Sequence, residues 1–154
     1  MTYMILVSAC LVGVDCRYNG GSNLDKDLLD FLKNKQYILV CPEQLGGLPT
    51  PRYPSEIVGG DGGDVLAGLC RVKDNQGNDV TEPFVKGAKE TLKIAELYKA
   101  RTAILKKRSP SCGSIDIYDG KFHGKIKRGK GVTAALLEEN DITVANEDNY
   151  ATII

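Results

Sequence analysis

Cys10, Cys41 and Cys112 each stand at or just beyond the end of an apolar run: residues 3–9 (YMILVSA), 37–40 (YILV) and 102–105 (TAIL). If these runs are neighbouring parallel strands, their carboxyl ends open onto one crevice, where open parallel sheets place their ligands. Three thiols converging there would make a site for a soft metal or a metal cluster. Cys16 and Cys70 bring the cysteines to five, an odd and widely spaced set that fits poorly with a disulfide framework in a chain of 154 residues. There is no CxxC pair, so the spacing of zinc ribbons and thioredoxins is missing, and one histidine, His123, cannot build a histidine-rich metal site.

The elements that must position these thiols follow from periodicity. The run at 3–9 predicts a strand, then a Gly/Asn loop; after Ser22, residues 24–35 predict a helix with Leu24, Leu28, Phe31 and Leu32 on one face. Residues 37–40 predict a second strand, and the proline-rich stretch 41–56 a long loop. Residues 59–64 (GGDGGD) read as a mobile loop, and 65–72 as a strand joined through a turn at 74–77 to residues 79–80. A helix opens at Thr81-Glu82-Pro83 and carries Phe84, Ala88, Leu92 and Ala95 to about Lys99, ahead of the strand at 102–105. Residues 115–118 and 121–124 predict a hairpin turning on Asp119-Gly120, 132–139 a helix and 142–145 a last strand. This alternation predicts an α/β fold: one domain over residues 1–154, a mostly parallel open Rossmann-like sheet with helices on both faces and small hairpin insertions.

Twenty basic residues balance twenty acidic ones, which removes the broad electrostatic attraction of nucleic-acid and membrane-surface binders. No apolar stretch has the length of a membrane span, and the N-terminal run lacks the basic flank of a signal peptide, so a cytoplasmic protein with reduced thiols is expected. Nothing in the sequence fixes an oligomeric state.

Three separated segments carry a resemblance: 8–13 (SACLVG) with 16–20 (CRYNG); 41–43 (CPE) with 46–48 (GGL) and 51–56 (PRYPSE); and 106–113 (KKRSPSCG). In this order, over roughly residues 5–147, the chain resembles the domain-of-unknown-function family that includes the bacterial thiouracil desulfidases. The resemblance implies a 4Fe-4S cluster held by Cys10, Cys41 and Cys112, with one iron lacking a protein ligand. It also implies catalytic roles for Glu43 and for Ser109, with Ser111 the competing serine. The implied reaction removes sulfur from a small thiolated pyrimidine base or nucleotide, thiouracil to uracil plus hydrosulfide. The chemistry is coherent, since thiolates are the usual cluster ligands and an open iron could polarise a carbon–sulfur bond as a Lewis acid. Glu43 would then orient water or shuttle a proton to a ring nitrogen.

Other readings stand beside these. A zinc or iron–sulfur binding protein without catalysis, serving as a sulfur or metal carrier, would use the same thiols. Cys112 could instead be a nucleophile activated by Lys106, Lys107 and Arg108, although no histidine partners it. Arg17 and Asn19, beside the first ligand, are candidates to bind substrate; a turn at residues 18–21 accounts for them equally well. Cys70 reads as core, and Cys16 as a packing residue, a fourth ligand or a resolving thiol. Arg52 and Glu56 are expected to pair and order their loop. The segment 124–131 (GKIKRGKG) nearly spells a phosphate loop, but Gly131 stands where Ser or Thr is needed; it reads as a solvated basic turn that could hold an anionic group.

Overall fold

The computed structural model describes residues 3–154. Strand β1 (Ile5–Ser8) runs into a 3-10 turn (Ala9–Val12), then helix α1 (Lys26–Leu32) and strand β2 (Tyr37–Val40). A single helical turn, α2 (Pro42–Leu45), precedes the antiparallel pair β3 (Ser55–Val58) and β4 (Arg71–Asp74), which is interrupted by α3 (Gly62–Leu66). Helix α4 (Thr81–Leu97) leads to β5 (Thr102–Ile104) and to the pair β6 (Asp116–Tyr118) and β7 (Ile126–Arg128). The chain ends with α5 (Val132–Glu139), β8 (Thr143–Ala145) and α6 (Tyr150–Ile153). The main sheet is parallel throughout, in the order β2-β1-β5-β8. No helix among the described residues is long and apolar enough to cross a membrane.

Strand alternation divides the core. Leu6 and Ala103 face one side, with Ala95 of α4 and Ala134 and Leu137 of α5, whereas Ile5, Val7 and Ile104 face the other, with Leu28 and Leu32 of α1. All four residues of β1 are buried, as befits a strand covered on both faces. The α/β architecture with helices on both faces is therefore as the sequence predicts.

Two close backbone contacts seat the segments that follow the strands. Gly46 at the end of α2 and Gly87 in α4 face each other: a Cβ on Gly46 would overlap the Pro83 carbonyl, and one on Gly87 the Pro42 carbonyl. The first amides of α5, which an isolated helix leaves without partners, donate instead to the loop after β5. Val132 N–H donates to Pro110 O (2.8 Å), Thr133 N–H to Ser111 O (2.8 Å) and Gly131 N–H to Gly113 O (2.8 Å). An open helical Gly→Ala change gains about 1 kcal/mol, whereas forcing extra volume into a filled contact costs about 1–3 kcal/mol. Gly87→Ala is therefore expected to lower stability by up to about 2 kcal/mol, read by denaturant unfolding; a stabilised variant would contradict the contact.

Several local expectations are corrected. The strand expected over 3–9 is confined to Ile5–Ser8, because the chain tightens at Ala9 into the 3-10 turn. The first helix shortens because Asp25 supplies its cap, accepting from Leu28 N–H at 3.0 Å, and Leu24 is left exposed outside it. Residues 41–56 are not all loop: Pro42 suits the first helical position of α2, and Ser55 begins β3. Val65 lies in α3, and β4 pairs with the earlier β3; beyond the turn at 74–77 only Lys73 and Asp79 bridge. The GGDGGD segment is ordered, since Asp61 and Asp64 form a reciprocal capping box. Asp119-Gly120 is not a two-residue turn: Tyr118 pairs with Ile126, leaving a loop over residues 119–125 whose amides at Gly120 and Phe122 donate to Glu56.

Candidate active site

The three cysteines follow three adjacent strands. Cys10 lies in the turn after β1, Cys41 caps α2 immediately after β2, and Cys112 sits in the loop after β5. All three line one cavity of about 500 Å³ at the carboxyl end of the sheet, together with Ser8, Cys16, Arg17, Glu43, Arg52 and Ser109. The size suits a small organic ligand.

Ser8, the last residue of β1, ties that strand to the segment that follows β5. Its hydroxyl lies 3.8 Å from Cys112 Sγ as a donor and accepts from Lys106 N–H at 2.9 Å. Ser109 holds the Cys112 loop, its Oγ accepting from the amides of Ser111 and Cys112, each at 3.0 Å. With its acceptor side so occupied, the Ser109 hydroxyl proton is left for the cavity. Ser111 is the buried serine of the pair: its Oγ meets Thr133 Oγ1 at 2.8 Å, and it is absent from the cavity wall.

Glu43, two residues past Cys41, is held by Arg52, whose Nε donates to Glu43 Oε1 at 3.0 Å. The same guanidinium donates to Cys16 O (2.9 Å), Thr50 Oγ1 (3.0 Å) and Pro49 O (3.2 Å), and its side chain is only 7% exposed. Arg52 is thus fixed from four directions and fixes Glu43 in turn. The expected Arg52–Glu56 pair does not form, because Glu56 turns to the 119–125 loop.

The thiols differ in character. The Cys16 thiol stabilises the Cys10 thiolate and holds Cys10 below its ordinary value against the opposing effect of burial, with help from Asn23, while Cys41 Sγ lies 3.8 Å from Cys16 O. Cys41 is lowered to about 6, again by Cys16 first, with further help from the Gln44 amide and Arg52. Cys16, the shared donor, is raised. Burial raises Cys112, and the negative charges of Glu43, Cys10 and Cys41 add to the effect. The cations that the Cys112 nucleophile reading invokes have carboxylate partners: Lys106 pairs with Glu147 at 2.8 Å, Lys107 with Asp148 at 2.7 Å, and Arg108 lies 3.9 Å from Asp116.

Three thiols with Glu43 as the near carboxylate are a donor set suited to an iron–sulfur cluster. Among the described residues, no group of three or more His, Cys, Asp or Glu side chains is drawn together as a single ion requires.

The other candidates divide. Arg17 lines the cavity, with its guanidinium 5.3 Å from the Tyr18 ring centre. Asn19 does not line it: the side chain is exposed and accepts from Gly21 N–H at 2.9 Å within its own turn. Asn23, which sequence reasoning missed, lines the wall instead; its backbone N–H donates to Cys10 O at 2.9 Å and its side chain helps lower the Cys10 thiol. Arg52 and Ser8 were also missed as site residues. No spacing signal marks Asn23, whereas Arg52 and Ser8 lie inside the quoted motifs. Cys70 is remote, buried behind α3 with Sγ 3.6 Å from Asp61 O. In the basic segment, Lys130 pairs with Glu138 and Lys127 donates to Gly60 O at 2.8 Å, so these two lysines serve structure.

Comparison with known proteins agrees with this geometry. Residues 5–149 match the family model described as 2-thiouracil desulfurase. The uncharacterized protein YbbK of Bacillus subtilis (strain 168) is 46% identical over 151 residues, covering 98% of this chain and 100% of that protein. The solved structure of the 4Fe-4S-dependent thiouracil desulfidase TudS is 40% identical, with a TM-score of 0.86 over 97% of this chain and 94% of that one.

Proposed function

The chain belongs to the 2-thiouracil desulfurase family, and from that premise we propose that it is an iron–sulfur-dependent thiouracil desulfidase in which Cys10, Cys41 and Cys112 hold a 4Fe-4S cluster with one iron free of protein ligands. The observation that carries this reading is the meeting of three thiols from three strand ends with an Arg-fixed carboxylate in one cavity. When bound, the cluster supplies a Lewis acid that polarises the carbon–sulfur bond of a thiocarbonyl.

The chain's own residues do the rest. Glu43 takes a proton from the attacking water and returns it toward the leaving sulfur or a ring nitrogen, and Arg52 keeps its carboxylate aimed at the cavity. Ser109 donates its hydroxyl proton to the substrate or to the water. Arg17 contributes to substrate binding at the wall. The overall exchange is hydrolytic: the ring carbon loses sulfur as hydrosulfide and gains the water oxygen, and no electrons are transferred. A small thiolated pyrimidine base or its nucleotide fits the cavity, and the balanced charge of the chain supports a free small molecule over nucleic acid. Five free cysteines fit a reducing compartment such as the cytoplasm.

Anaerobic reconstitution with iron and sulfide is expected to give a brown protein that converts thiouracil to uracil with stoichiometric sulfide release. A folded protein that takes up neither iron nor sulfide would overturn the reading.

A further inference from the structure

In the lining of the cavity an aromatic residue is held in a backbone conformation that its own type disfavours. Phe122, in the loop between β6 and β7, has φ +58, a left-handed conformation that a bulky residue adopts only where its surroundings impose it. The imposing contacts are specific. Glu56 Oε1 accepts from the amides of Gly120 (2.9 Å) and Phe122 (3.2 Å), and Asp119 Oδ1 accepts from Lys121 N–H (3.0 Å). Gly120, at φ +90, lies so close to β3 that a Cβ there would strike the Ile57 carbonyl. The loop is therefore docked on β3 at the residues flanking the ring.

These contacts do not bury the ring. Phe122 is 37% exposed and lines the same cavity as the three thiols. Among the described residues it makes no aromatic pair and no cation–π contact, whereas Tyr18, also lining the cavity, has a guanidinium near its ring, and Tyr118, the third lining aromatic, sits in β6 with ordinary strand backbone. A strained backbone that leaves an apolar ring open to a ligand cavity is explained by the ligand, and a flat heteroaromatic ring is the natural partner of such a face.

We propose that Phe122 is the stacking platform for the pyrimidine ring of the substrate, and that Glu56 is a positioning residue that acts through it. The proposal rests on the desulfidase reading of the cavity. Stacking fixes the plane of the ring, which leaves its thiocarbonyl edge to reach toward the thiols. It recognises the π-face and so tolerates different ring substituents.

The test compares Phe122→Leu, Phe122→Tyr, Glu56→Ala and the double variant Glu56→Ala/Phe122→Leu, as cluster-loaded proteins with activity normalised to iron content. Phe122→Leu is expected to raise KM for thiouracil about tenfold with kcat little changed, and Phe122→Tyr to stay within about twofold of wild type. Glu56→Ala should raise KM, and the double variant should be no worse than Phe122→Leu alone, because Glu56 acts through the ring. Calorimetric binding of uracil to the same proteins should follow the same order. A wild-type KM in Phe122→Leu, an equal loss in Phe122→Tyr, or full additivity in the double variant would overturn the proposal. An inactive wild type that still binds uracil in the expected order would sink the desulfidase reading and leave the stack standing.

Discussion

Single replacement of Cys10, Cys41 or Cys112 by alanine is expected to abolish both cluster content and sulfide release, whereas Cys70→Ala retains both. The proposed cluster has only three protein ligands, so loss of any one leaves two thiolates to hold it. The three variants should fail alike although their thiols differ in burial and acidity, since each occupies one corner of the same cavity. Cys70 packs with Ile57 and Val72 away from that cavity, and its removal should cost only about 1 kcal/mol of stability. Iron and sulfide analysis beside a sulfide-release assay reads both quantities. A Cys41→Ala protein with full cluster and full turnover would remove the basis of the proposed centre.

Glu43→Gln is expected to keep the cluster and lower kcat by about 10²–10⁴-fold, the usual contribution of a positioned proton-transfer group. Glutamine retains an oxygen that can accept from Arg52 Nε, so the segment 42–45 should keep its place. Only the capacity to carry a proton is lost. Normal iron content with near-complete loss of turnover separates this role from a structural one, and a fully active variant would assign the proton transfer elsewhere.

The sequence made the thiol arrangement legible because strand ends are marked by simple patterns. Residues 37–40 and 132–139 form a strand and a helix with the expected bounds, and the apolar runs before Cys10 and Cys112 contain the shorter strands β1 and β5. What stayed hidden is non-local. The partner of β4 is set by packing against β3, which no periodicity at 65–72 reveals. The Asp-Gly pair at 119–120 is a strong local turn signal, yet a carboxylate 64 residues earlier captures the Gly120 amide and the hairpin opens into a loop. Arg52 and Glu56 stand four apart in one motif, which invites pairing, but each finds a partner outside that spacing. Ser109 and Ser111 are separable only in three dimensions, where one faces the cavity and the other Thr133.

The α5 amides that grip the loop carrying Cys112 have a wider consequence. Their partners are peptide carbonyls of the chain itself, so the hold on this loop is made by backbone alone. In small zinc modules, by contrast, ligation and folding are a single event. If Cys10, Cys41 and Cys112 hold a cluster as proposed, the chain is expected to fold before it is loaded, and circular dichroism of the cluster-free protein would check this.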